Sequence, residues 1–118
     1  MNDENLIQTK SYTFALRIIK AYQYLQTETY ENVLSKQLLK AGTSVGANVE
    51  EAIGAQSKKD FIAKLSISLK EAREAHYWLR LLRDSNYLTS KQADSLLEDC
   101  TQLLKILTAI LKTSKRSL

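Results

Sequence analysis

The chain has 118 residues, 44% of them hydrophobic, with three glycines, one cysteine and no proline. That length buries a single core without disulfide or metal staples, and a lone cysteine excludes an internal disulfide framework. A formal charge of +4 and a pI of about 9.2 are moderately basic, short of the composition of a dedicated nucleic-acid arm.

Proline-free sequence rich in Leu, Ala, Lys, Glu and Gln favours uninterrupted helices, so one all-α domain over residues 1–118 is expected. The start, MNDEN, is acidic and has no apolar run behind a basic one, so no signal peptide is expected. No apolar stretch approaches the roughly 20 residues a bilayer span needs. The cytoplasm is the expected location, without membrane contact.

In chain order, the first helix is predicted from near Thr9 or Ser11 to about Thr27. Phe14, Leu16 or Arg17, Ile18, Ala21, Tyr22 and Leu25 give it an apolar face. Gln26–Asn32 is polar, without periodicity, and reads as the first connection. The second helix is predicted from about Glu31 to Ala55, with Leu38, Ala41, Val45, Val49 and Ala52 as one apolar stripe. All three glycines, Gly42, Gly46 and Gly54, fall in or beside it. A glycine inside a helix costs roughly 1 kcal/mol relative to alanine. Gly42 and Gly46 therefore predict close packing: either ordinary tight packing within one bundle, or a helix that meets one neighbour inside the subunit and another outside it.

Gly54 is a plausible helix terminator, and Ser57 with Asp60 reads as an N-cap with an acidic third position. This gives an antiparallel hairpin, or alternatively one bent helix. The third helix is predicted over about Lys58–Ser85. Its row Phe61, Leu65, Leu69, Ala72, His76, Leu79, Arg83 is widened by Ile62, Ile67, Tyr77, Trp78, Leu81 and Leu82. An apolar surface broader than about 100° is buried on more than one side, which points to oligomer contacts. Thr89 with Gln92 fits a capping box that opens a fourth helix to about Thr113. Ser114–Leu118 is expected to be a mobile basic tail. The architecture expected is an antiparallel up-down-up-down four-helix bundle.

Catalytic chemistry finds little support. A di-metal bundle needs Glu-x-x-His pairs, and the residue three before the single histidine, His76, is Arg73. A hydrogen-bonded core or interface histidine is the better reading. No serine has both a base and a strand-turn-helix context, and the glycines do not form a phosphate loop. Cys100 lies in phase with Leu96, Leu97, Leu103, Leu104 and Leu107 and should be a buried thiol. No metal, cofactor or enzymatic activity is expected. Positive charge gathers instead: Lys10, Arg17 and Lys20 share a segment without acids, and Lys36 and Lys40 add a second basic row. Arg17, Lys20, Lys36 and Lys40 are the candidate nucleic-acid contacts, or else plain solvating charges. Ser44, Asn48 and Glu51 could face Glu71 and Glu74 across the hairpin as a satisfied network, or form a solvated face. Arg73, Arg80 and Arg83 read as ion pairs or interface contacts.

The segment QLLKAGTSVGANVEEAIGAQSKKDFIAKLSISLKEAREAHYWLRLL closely resembles the bacterial four helix bundle proteins, also called 23S rRNA-intervening-sequence proteins. That family includes the accessory variability determinant of diversity-generating retroelements. The likeness covers nearly the whole chain and is strongest over Ser35–Leu82. Gln37, Lys40, Ser44, Asn48 and Glu51 occupy the positions of the family's motif, and Glu74 matches its glutamate on the third helix. Ala52 stands where the family often has glycine, and Lys70-Glu71 where it often has Gly-Ser. The resemblance implies a basic homopentamer and, in the retroelement branch, binding to RNA or DNA and to a reverse transcriptase. Two functional expectations follow: a nucleic-acid-binding or retroelement-accessory oligomer, and an oligomeric scaffold or adaptor whose partner is a protein.

Overall fold

In each segment most of the residues that pack inward, all of them buried except the partly buried Ala21, fall into two interleaved series with a spacing of seven. The first segment has Ile7, Phe14, Ala21 and Ser11, Ile18, Leu25; the second has Ser35, Gly42, Val49 and Leu38, Val45, Ala52. The third has Leu65, Ala72, Leu79 and Ser68, Ala75, Leu82; the fourth has Ala93, Cys100, Leu107 and Leu96, Leu103, Ile110. A seven-residue repeat suits helices that cross at about 20° and mesh side chains along one seam. The computed structural model, which describes residues 2–117, folds these segments into α1 (Asp3–Glu28), α2 (Leu34–Ile53), α3 (Lys58–Asp84) and α4 (Ser90–Arg116).

Consecutive helices pack against each other, and α1 closes the ring on α4. The side-chain links fix the directions. Gln8 near the start of α1 donates to Glu50 near the end of α2, 3.2 Å. Ser68 of α3 donates to the Val45 carbonyl of α2, 2.8 Å, and Arg83 of α3 reaches Asp94 of α4, 3.1 Å. Lys10 and Arg17 of α1 reach Gln102 and Asp99 of α4. Every neighbouring pair is antiparallel, giving a four-helix bundle with an extent of 47 × 21 × 21 Å.

The helix ends are set by local chemistry. α1 starts at Asp3, earlier than its apolar pattern predicts, because the Asn2 side chain accepts from the Asn5 N–H and Asp3 and Glu4 occupy the first turn. α2 starts at Leu34 rather than Glu31. Its N-cap, Val33, offers no side-chain acceptor, and the buried Glu31 carboxylate takes the N–H groups of Val33, Leu34 and Ser35 at 2.9, 2.9 and 2.7 Å. Gly54 caps the end of α2 and the Ser57 hydroxyl accepts from Asp60 N–H, so the chain makes a hairpin here and not a bent helix. The Thr89–Gln92 capping box opens α4 as its residues predict. α4 continues to Arg116, so most of the segment expected to be a mobile tail from Ser114 is helical; Lys115 and Arg116 suit the negative end of the helix dipole. Leu118, the last residue of that segment, lies outside the described residues. Among the described residues, no helix is long and apolar enough to cross a membrane.

Candidate nucleic-acid interface

The four basic residues singled out in the sequence do not form one patch on the chain. Arg17 is not free: its guanidinium donates to Asp99 at 2.5 Å and to the Ser95 hydroxyl at 2.9 Å. The absence of acids near Arg17 in the sequence is offset by α4, which supplies one across the seam. Lys20, one turn on, is exposed and has no acidic partner among the described residues. Together they edge a cleft between α1 and α4 that also holds Tyr24, Leu88 and Gln92.

Lys36 and Lys40 lie on α2, both exposed and without an ion pair among the described residues. Ile18 packs against Gly42, so on antiparallel neighbours Lys40 is level with Lys20 along the bundle axis. Lys40 turns toward α3, however, where its charge acts on Glu71. Burial first, and then Glu74, hold the Glu71 carboxyl above its ordinary value, with Lys70 and Lys40 opposing them. Lys20 on the α1–α4 side and Lys36 with Lys40 on α2 therefore lie on different flanks of the bundle.

The residues matching the family motif follow one side of α2, next to α3. Gln37 is exposed at its start. The Ser44 hydroxyl donates to the Lys40 carbonyl at 2.6 Å, and Asn48 Nδ2 donates to the Ser44 carbonyl at 2.8 Å. These bonds stay within the helix, and among the described residues neither side chain bonds to Glu71 or Glu74. Two links of other kinds mark this flank. Glu51 faces Lys64 at 3.6 Å, and Glu74 accepts from Trp78 Nε1 at 3.2 Å. The row is thus the partly solvated polar face of the two readings: among the described residues it makes no bond to Glu71 or Glu74, and its one link across the hairpin is Glu51 with Lys64.

Gly42 and Gly46 both face α1. A Cβ on Gly42 would stand 2.8 Å from two carbons of the fully buried Ile18, while one on Gly46 would stand 3.4 Å from the Ser11 carbonyl oxygen. The close approach is therefore within the chain's own bundle, and it is tightest at Gly42. Gly54 serves as the cap of α2.

On α3, His76 Nδ1 accepts from Arg80 Nε at 3.1 Å, and burial, then Arg80 and Arg83, hold the imidazole below its ordinary pKa. The Arg80 guanidinium also lies over the Tyr77 ring, 5.7 Å from its centroid. Arg83 is tied to Asp84 and Asp94. Cys100 is buried, donates to the Ala72 carbonyl, and is pushed up to about 12 by burial and then by Asp99. A thiol so hard to ionise is a poor nucleophile. Among the described residues, no three His, Cys, Asp or Glu side chains gather as a metal ion would need.

Sequence reasoning missed Asp99 and Ser95 as partners of Arg17, and Tyr24, Leu88 and Gln92 as neighbours of Lys20. Tyr24 stands one helical turn from Lys20 on α1, so its i, i+4 spacing could have been read; no local spacing links the others, some 70–80 positions away, and only the seam between the first and last helix does. It also left open whether Leu16 or Arg17 faces inward, and neither does so fully. Leu16 is 48% exposed, and Tyr12, Leu16 and Ile19 form an outward apolar row on α1.

An antiparallel four-helix bundle with capped ends, free lysines on two flanks and a polar row along α2 defines the class of protein. The model of the 23S rRNA-intervening sequence protein family matches residues 3–109, and the chain belongs to that family. A solved structure is similar to it over nearly its full length: a protein of unknown function from the S23 ribosomal protein family of Bacteroides thetaiotaomicron VPI-5482. That structure shares 48% identity, covers 94% of this chain and 99% of its own, and superposes with a TM-score of 0.93. No curated protein matches the chain.

Proposed function

We propose that this protein is a non-enzymatic homo-oligomer that binds nucleic acid through the phosphate backbone, in a retroelement-accessory or rRNA-associated role. The observation that carries the reading is the set Lys20, Lys36 and Lys40: three exposed ammonium groups with no acidic partner among the described residues, on a chain of net charge +4. A lysine already paired has little to gain from a phosphate; an unpaired one releases counterions from the nucleic acid when it binds. Membership of a family named for an rRNA intervening sequence supports the same partner class. The outward row Tyr12, Leu16, Ile19 on α1, with Ile67 and Tyr77 exposed on α3, supports self-association; five subunits is the number the family resemblance implies. In a ring the lysines repeat by symmetry, and contacts that are weak singly add through multivalency.

Fluorescence anisotropy with labelled RNA and duplex DNA at low salt tests this. The wild type should bind both, and the triple reversal Lys20→Glu, Lys36→Glu, Lys40→Glu should not. Arg17 is left out of the set because an acid there would face Asp99. Equal binding by the reversed protein would overturn the reading. The second reading, a scaffold or adaptor for a protein partner, is favoured by the exposed apolar row on α1; it predicts binding to that partner that survives physiological salt.

A further inference from the structure

The seam between α1 and α4 opens near its Lys20 end into a cleft of about 290 Å³, lined by Arg17, Lys20, Ala21, Tyr24, Leu88, Gln92 and Leu96. Such a volume is at the lower end of ligand sites, enough for one flat ring system. The opening has a local cause: Ala21 takes an inward position of the repeat on α1 with the smallest apolar side chain, leaving space before Leu88 and Leu96, which are 3% and 5% exposed. The floor is thus apolar, and Tyr24 contributes an aromatic wall.

The polar groups at the rim are fixed in place. Gln92 Oε1 accepts from the Thr89 N–H at 2.9 Å as part of the capping box, which orients the amide and leaves Nε2 without a partner among the described residues. Arg17 is held by Asp99 and Ser95. Lys20 alone at this rim carries an unneutralised charge among the described residues. An aromatic wall, an apolar floor, one oriented N–H donor and one free cation match a particular chemistry: a flat heteroaromatic ring with acceptor atoms on its edge and an anion attached beyond it.

We infer that the cleft seats one unpaired nucleobase of a bound single strand, its ring against Tyr24 and the apolar floor, an acceptor edge toward Gln92 Nε2, and the neighbouring phosphate on Lys20. The inference rests on the nucleic-acid reading above and adds a base contact to it. Unpaired bases are the part of RNA that proteins bind by stacking on aromatic side chains, and such stacking is tolerant of sequence.

The test compares an RNA strand with a fully abasic strand of the same length and phosphate count, by anisotropy at low salt, using the intact oligomer. The wild type should bind the strand with bases about fivefold or more tightly. Ala21→Leu, which fills the cleft, and Tyr24→Leu, which keeps apolar bulk but removes the ring, should bind both strands at the wild type's abasic level. Circular dichroism checks that each variant is folded; should Ala21→Leu lose helix, Tyr24→Leu decides. Equal binding of both strands by the wild type, or an undiminished preference in a folded variant, would overturn the base seat while leaving phosphate binding intact. No binding of either strand would remove the nucleic-acid reading and the seat with it.

Discussion

At the residue scale, small side chains set how near the helices come. Gly42 abuts Ile18, whose branched Cβ holds one strongly preferred rotamer in a helix and cannot swing aside. Gly42→Ala should therefore destabilise the protein by about 1–3 kcal/mol, the usual cost of overpacking. Gly46→Ala should be near neutral or stabilising, since 3.4 Å from the Ser11 carbonyl is almost an ordinary contact and alanine gains roughly 1 kcal/mol of helix propensity. The longer Gly46→Leu should be worse than Ala47→Leu, whose site is exposed. Thermal unfolding of the four variants checks the order; a Gly42→Ala protein as stable as the wild type would contradict it. That a glycine in this stretch marks a close approach was legible in the sequence, because a glycine inside a helix costs roughly 1 kcal/mol relative to alanine. Which of the two is tighter was not, since it depends on Ile18 lying opposite one and the Ser11 backbone opposite the other.

At the scale of the element, the start of α2 hangs on Glu31. Burial pushes its carboxyl up, but the N–H groups of Ser35, Val33 and Leu34 and the Ser35 side chain bring it below its ordinary 4.5. The stability it contributes is present above about 4.5 and is lost as pH falls through the lowered native value. Glu71, held above its ordinary value, acts in the opposite sense, so the wild type must be compared with Glu31→Gln. At neutral pH that variant should lose about 1–2 kcal/mol, several degrees of melting temperature. The gap should narrow as the pH is lowered below 4.5; a gap that widens would contradict the capping role. The interiors of all four helices were readable from apolar spacing, as were the Ser57 and Thr89 caps, because those signals are local. The start of α1 was missed because Asn2 caps ahead of the apolar pattern, and the end of α4 because polar residues extend a helix without adding to its stripe. The site was less legible still: Arg17 reads as free in its own segment and is paired only because α1 closes on α4.

At the scale of the whole molecule, an apolar row supports self-association and lysines support phosphate binding. Replacing Leu16 and Ile19 by lysine should leave the bundle folded, since both side chains are over a third exposed, but shift the proposed pentamer toward monomer in native mass spectrometry. A wild type that is monomeric at micromolar concentration would end the oligomer reading. The most direct measurement is the salt dependence of RNA binding by the intact protein, plotted as log K against log salt. Each neutralised phosphate contributes a slope of roughly −0.7 to −0.9, so the three lysines of one subunit reach about −2 to −3. A symmetric oligomer engaging one RNA through several subunits should give a steeper slope, with binding largely lost between low and physiological salt. A slope near zero, with binding that persists at physiological salt, would contradict a phosphate-binding oligomer.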